Sequence, residues 1–251
     1  MHILKKEKRV KQEVPFAMKI QRICQKFVMV VLCLSFLFRL VVLSLGATAQ
    51  TINEKGREKR IVALTFDDGP HPAHTDAILD ILENYHIKAT FFVIGQNAEQ
   101  YPSPLARAAS LGHLIGNHSY DHKAKGKTEQ EVEESLRKTS DIIESITGKR
   151  PGYFRAPEGK STVALEVALQ KVNLYPTFWT IDTKDWAGHP PTHILQNVKK
   201  HAKSNEIILM HDYNCPAHNT IKVLPAIIEI LLAKGYQFVT IEEYFQHTSS
   251  G

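Results

Sequence analysis

An α/β protein on a mostly parallel sheet, open or rolled into a barrel, is what this sequence predicts. Short apolar runs rich in β-branched and aromatic residues alternate with amphipathic stretches, the mark of strand–helix–strand units. The runs are apolar throughout rather than at every second residue, which suits strands buried on both faces. Titratable residues follow directly on several of them. In a parallel sheet that puts them on one edge, at the carboxyl ends of the strands.

The runs are IVALTF (61–66), ATFFVIG (89–95), HLIGN (113–117), GYF (152–154), TFWTI (177–181), EIILM (206–210) and QFVTI (237–241). Between the first two, residues 75–86 place Ile78, Ile81, Leu82 and Tyr85 on one side of a helix. Residues 128–147 open with the capping pair Thr128 and Glu131 and close at Gly148. Shorter helices are expected over 162–171 and 192–202, and a last one over 223–234 that stops at Lys234-Gly235. There is no internal repeat, no low-complexity segment and no second module.

The formal charge of +5 suggests an anionic partner until it is located. Of the 31 Lys and Arg, nine lie in the first 49 residues, beside two of the 26 acids. The remainder holds 22 basic and 24 acidic residues, a net of −2, so nucleic acid is not an expected partner. Residues 27–45 form an apolar run broken once by Arg39, and Gly46-Ala47-Thr48-Ala49-Gln50 follows. A basic start, an apolar run and an A-x-A ending describe a secretory signal peptide. A retained membrane anchor is the alternative. The A-x-A ending favours cleavage, as does Arg39, since a central Arg costs about 2.5–3.5 kcal/mol in a span. Met18 opens a shorter leader and is a second expected start. Residues 1–49 are thus a signal peptide or anchor, 50–59 a polar linker, 60–246 the folded domain and 247–251 a tail. Both readings place the domain outside the cytoplasm, secreted or anchored by residues 27–45. Cys24 and Cys33 lie in the leader, so Cys215 has no disulfide partner.

Five segments bring chemistry to strand ends: Asp67 and Asp68, His118, Arg155, Asp182 and Asp185, and His211. His118 and His122 are four apart, a spacing that points both imidazoles one way on a helical turn. A carboxylate from a neighbouring strand end would complete a three-ligand site with positions left for water. The alternative is a pair of surface imidazoles on a loop. Asp67-Asp68 is either a buried pair with a task or a solvated turn before Gly69-Pro70. Arg155 could hold one carboxylate ionised, and His211 has the look of a proton-transfer residue.

In order, Thr65-Phe66-Asp67-Asp68-Gly69-Pro70, His118-Ser119-Tyr120-Asp121-His122, Arg155-Ala156-Pro157-Glu158-Gly159, Asp182-Thr183-Lys184-Asp185-Trp186 and Ile208-Leu209-Met210-His211 resemble the five motifs of the polysaccharide deacetylases, carbohydrate esterase family four. The likeness covers about residues 60–246. It implies a distorted (β/α) barrel of about seven parallel strands and hydrolysis of N-acetyl groups on amino-sugar polymers such as peptidoglycan or chitin-like glycan. It implies a divalent metal, usually Zn2+, with Co2+ or another first-row metal as alternatives, held by Asp68, His118 and His122. Asp67 is then the general base, Arg155 orients it, His211 is the general acid and Asp185 its partner. Pro157, Glu158, Trp186 and Leu209 then form the substrate and acetyl pocket, where a backbone N–H near Pro157 and Glu158 helps hold the oxyanion. A monomer is expected.

The motifs depart from the family at Glu158, where an uncharged residue is frequent, and at Ala156, where Pro is frequent. Asp182 is read as structural, Cys215 as a free loop thiol, and His71, His74, His189 and His218 as loop or surface residues. Two rivals remain. One is a non-catalytic glycan-binding protein that keeps the fold, which loss of a metal ligand would favour. The other is a two-His-one-carboxylate iron oxygenase, in which Arg155 and His211 would have no task.

Overall fold

The strand IVALTFD (β1, Ile61–Asp67) is buried along its whole length. Its side chains divide by the period of two. Val62, Leu64 and Phe66 enter the larger apolar cluster, with Ile78, Leu79 and Leu82 of one helix and Leu224, Ile227 and Leu231 of another. Ile61 and Ala63 enter a second cluster on the opposite face, with Phe92, Ile207 and Tyr244. A strand between two apolar layers has no polar face, which is why it reads as a continuous apolar run. The computed structural model describes residues 60–123, 126–213 and 218–249, together with Ser35, Phe38 and Arg39 of a helical stretch. The leader and its apolar run (those three residues apart), the linker over 50–59, Cys215 and the last two residues lie outside the described residues. Among the described residues no helix is long and apolar enough to cross a membrane.

The remaining strands are β2 (Thr90–Val93), β3 (Leu114–Asn117), β4 (Tyr153–Phe154), β5 (Tyr175–Pro176), β6 (Ile181–Asp182), β7 (Glu206–His211) and β8 (Gln237–Phe238). They run in the order β5-β4-β3-β2-β1-β7-β6, and every pairing is parallel. These seven strands curl into a half-barrel, the distorted barrel that was expected. β8 adds to the start of β1, below the stretch of β1 that pairs with β2.

The helices are α1 (His74–Asn84), α2 (Gly95–Gln100), α3 (Pro102–Ser110), α4 (Glu129–Thr147), α5 (Val163–Val172), α6 (Pro191–His201), α7 (Asn219–Ala233) and α8 (Ile241–Ser249). The capping box that opens α4 forms as expected: the Glu131 amide donates to the Thr128 hydroxyl and the Thr128 amide to the Glu131 carboxylate. Gly148 closes that helix at φ 73°, a left-handed value that favours glycine.

The run 177–181 is not a strand over its length. Only Ile181 enters β6, and residues 177–180 cross the gap between the two ends of the sheet path, β5 and β6. The carbonyls of Thr177 and Phe178 instead accept from the Arg155 side chain. α8 carries the fold to Ser249, three residues into the expected tail. Its N-terminus is a second capping box, Thr240 with Glu243.

Candidate metal and catalytic site

The carboxyl ends of β1, β3, β4, β6 and β7 open on one cleft of about 540 Å³. Asp67, Asp68, His118, His122, Glu158, Trp186, Leu209 and His211 all line it. Consecutive residues of a strand point to opposite faces, so Asp67 and Asp68 would part company if β1 ran on. Asp68 instead takes φ 77°, a left-handed value that Asp tolerates better than most residues. The turn ends the strand and brings both carboxylates to the cleft. Both are buried, at 3% and 8% exposure, which excludes the solvated turn.

His118 follows β3, and its amide continues the ladder to Val93. His122 does not reach the same place by a helical turn, as its spacing had suggested. Residues 118–122 form a loop in which Ser119 and His122 have φ of 67° and 57°, and the Ser119 hydroxyl accepts from the His122 amide. The loop turns both imidazoles onto Asp68. His118 Nε2 lies 3.4 Å and His122 Nε2 3.2 Å from Asp68 Oδ1. His118 Nδ1 is 2.8 Å from the Arg155 carbonyl. A carbonyl only accepts, so Nδ1 carries a proton, and Nε2, turned toward Asp68, is the nitrogen left to bind a metal.

A metal fits these residues. Asp68 Oδ1 is buried and has no hydrogen-bond partner, a costly state that a cation relieves. One ligand atom each from Asp68, His118 and His122 lie within 4.8 Å of one another. Zinc–nitrogen and zinc–oxygen bonds of about 2.1 Å put tetrahedral ligands about 3.4 Å apart, which matches the two distances from Asp68. Burial would raise the Asp68 carboxyl, but the neighbouring imidazoles of His118, His211 and His122 outweigh it, and it stays ionised below its usual range.

Arg155 is fully buried beneath the cleft. Its Nη1 donates to Asp67 Oδ1 at 2.8 Å and to Thr65 Oγ1 at 2.7 Å, and its guanidinium lies 4.3 Å from the centre of the Phe92 ring. Burial pulls its pKa down and the Asp67 carboxylate opposes that; Arg remains charged in either case.

His211 is the register partner of Asp67 across the β1–β7 ladder, so the expected acid and base stand side by side. Asp185, in a 3-10 turn after β6, clamps His211 with both oxygens: Oδ1 meets Nδ1 at 2.8 Å and Oδ2 accepts the backbone amide at 2.8 Å. The Thr220 hydroxyl and the Trp186 amide also donate to this carboxylate. Burial pulls His211 down, but the bond to Asp185 and the charges of Asp185, Asp67 and Asp68 carry it up to about 9. Asp185 is held below its ordinary value against its own burial, first by the hydrogen bond to His211.

The rim is less as expected. Pro157 is not part of the cleft wall; it is buried and faces a neighbouring hollow beside Ser119 and Leu165. Its ring removes one N–H, and the amides of Gly159 and Lys160 already donate to Ala156 and Pro157 within the same turn. Glu158 has φ 56° and is joined to Lys160 by an ion pair. Asp182 lies on the cleft wall, where its carboxylate accepts from the Lys184 amide and the Trp186 indole, a bracing role that agrees with the structural reading.

His71, His74 and His218 gather outside the cleft with ring centres 4.0–4.2 Å apart, and His71 Nδ1 accepts amides at the start of α1. Four residues were not foreseen. Trp179 lines the cleft and packs on Gly159, where a Cβ would lie 2.6 Å from its ring. Thr65 and Thr220 hold Arg155 and Asp185. Asp212 is fully buried, and its carboxyl is raised to about 7, chiefly by that burial. Thr65 opens the first motif and Asp212 follows His211, whereas no motif residue stands beside Thr220.

The family model for polysaccharide deacetylases matches residues 54–177. A peptidoglycan-N-acetylglucosamine deacetylase of Bacillus cereus is 38% identical over 195 residues, covering 75% of this chain and 69% of that protein. A chitooligosaccharide deacetylase of Azorhizobium caulinodans is 32% identical over 189 residues, covering 70% and 90%. The structure of the peptidoglycan deacetylase PdaC from Bacillus subtilis superposes with a TM-score of 0.71 at 34% identity, over 77% of this chain and 93% of that one. Similarity of this extent over three quarters of its length makes the chain a member of the polysaccharide deacetylase family, carbohydrate esterase family four.

Proposed function

We propose that the protein is a metal-dependent N-deacetylase that releases acetate from N-acetylated amino sugars of a cell-wall glycan. Peptidoglycan N-acetylglucosamine is the foremost substrate and chitooligosaccharide the second, after the relatives named above. The observation that carries this reading is the orphaned, buried Asp68 Oδ1 facing two imidazoles, beside an acid and a base that are each held by a separate partner. The basic and apolar start of the chain supports a location outside the cytoplasm, secreted or held by residues 27–45.

Asp68, His118 and His122 would hold the metal, with zinc suited to the mixed N/O donors. When bound it polarises the amide carbonyl and makes water a better nucleophile. Asp67 accepts the proton of the attacking water. Arg155 holds Asp67 Oδ1 and leaves Oδ2 toward the cleft side, 3.9 Å from His118 Nε2. His211, cationic at neutral pH and with Nδ1 spent on Asp185, presents Nε2–H to the departing nitrogen. An amine leaves poorly without that proton. Leu209, nearly buried in the wall, and half-exposed Trp186 offer apolar surface to the acetyl methyl.

Acetate release from peptidoglycan and from chitooligosaccharide, for the wild type and Asp67→Asn, tests the reading. A general base contributes about 10²–10⁴-fold, so the variant should lose at least a hundredfold. Glycan binding without acetate release by the wild type, or undiminished release by the variant, would sink it.

A further inference from the structure

Asp68 can ligate a metal only if its left-handed turn is held, because a non-glycine residue at φ 77° is not where the backbone rests on its own. The peptide group that follows it, the Asp68 carbonyl and the Gly69 amide, is gripped at both ends. Asn97 Nδ2, from α2, donates to the Asp68 carbonyl at 2.7 Å. The Gly69 amide donates to Asp212 Oδ1 at 2.9 Å. Asp212 is anchored in turn. Its own amide donates to the Asp67 carbonyl at 3.1 Å, one step past the register pair of Asp67 and His211. Its Oδ2 accepts from the Thr75 hydroxyl at 2.6 Å.

The carboxylate is packed so closely on the loop that a Cβ at Gly69 would lie 2.1 Å from Oδ2. Glycine is required there for space, since Gly69 is not among the residues of positive φ. A peptide plane fixed at its oxygen and at its N–H fixes ψ of the residue before it. That angle, with φ, aims the Asp68 carboxylate.

We propose that Asp212 and Asn97 are positioning residues that clamp the Asp68–Gly69 peptide and thereby aim Asp68 at His118 and His122. Asp212 immediately follows His211, so the same clamp ties the strand bearing the acid to the loop bearing the metal ligand. The proposal rests on the metal-dependent reading above.

The test is zinc affinity, measured by competition with a chromophoric chelator on purified protein, alongside thermal unfolding of the metal-free form. Partners that orient a metal ligand are worth about 10–100-fold in affinity. Asp212→Ala and Asn97→Ala should each weaken zinc binding by about tenfold. Asp212→Asn keeps an oxygen for the Gly69 amide, and the Thr75 hydroxyl can accept in place of donating. It should therefore stay within about threefold of the wild type. Asn97 is only partly buried, so its variant remains informative if Asp212→Ala fails to fold. Wild-type zinc affinity in Asn97→Ala and in folded Asp212→Ala would overturn the clamp, as would an Asp212→Asn variant as weak as Asp212→Ala. A wild type that binds no zinc would overturn the metal-dependent reading itself, and the clamp with it.

Discussion

Replacing Asp185 with Asn tests the assignment of the acid most directly. In the wild type four donors converge on the Asp185 carboxylate, two of them from His211. His211 is nearly nine-tenths buried, which alone would hold it neutral, yet its neighbours carry it from 6.5 to about 9. Each pKa unit is worth about 1.4 kcal/mol, so the surroundings favour the imidazolium by a few kcal/mol. The amide of Asn keeps the shape and removes the charge. Asp67 and Asp68 then act alone against burial, and His211 falls by more than about one pH unit.

The alkaline limb of kcat/KM should shift down by the same amount, and kcat at pH 8 should fall by about twofold for a one-unit drop and about thirtyfold if His211 returns to 6.5. Stability follows with a defined sign. The raised His211 stabilises the fold fully below 6.5 and loses its share as pH rises through about 9. The lowered Asp185 contributes above 3.8 and loses its share as pH falls through its folded value. The destabilisation by Asp185→Asn is therefore greatest between 3.8 and 6.5. NMR titration of His211 in metal-free protein, with pH–rate profiles of the zinc form, measures both. An alkaline limb that stays where it was in Asp185→Asn would refute His211 as the acid tuned by Asp185.

Arg155→Met takes the guanidinium away from buried Asp67, so about 3–5 kcal/mol of stability should be lost in thermal or urea unfolding. Dialysis against a chelator should abolish acetate release, and stoichiometric zinc should restore it. Thr128→Ala removes one half of the α4 capping box and should cost about 1 kcal/mol with kcat unchanged, since the residue lies outside the cleft. Trp186→Ala should raise KM more than it lowers kcat, because the half-exposed ring lines the cleft while touching neither acid nor base.

Most of the site was legible because strand ends are legible. Asp67, Asp68, His118, Arg155, Asp185 and His211 each follow an apolar run or stand a few residues past one, and a parallel sheet turns that position into proximity. What stayed hidden depended on loop backbone. The H-x₃-H spacing suggested a helical turn, whereas left-handed Ser119 and His122 do the same work in a loop. Pro157 was expected at the acetyl pocket, but the 3-10 turn around Glu158 directs it elsewhere. TFWTI has the composition of a strand, but its ends bond different strands, Thr177 to Phe154 and Thr180 to Ile207, and Arg155 takes two of the carbonyls between. α2 has no apolar stripe to reveal it. α3 begins at Pro102 and α8 with a Thr240–Glu243 box, signals that were present and passed over.

The gap between β5 and β6 has a consequence for how this chain can diverge. Arg155 bonds two carbonyls of that seam while its other arm holds Asp67, so the residue proposed to orient the base also ties the segment that crosses the gap. A descendant that gave up hydrolysis would still draw stability from Arg155. Retention of that arginine is therefore no sign of activity in a copy of this gene. The residues free to drift once catalysis is abandoned are those the fold does not lean on, His122 and the orphaned oxygen of Asp68, and loss would be written there first.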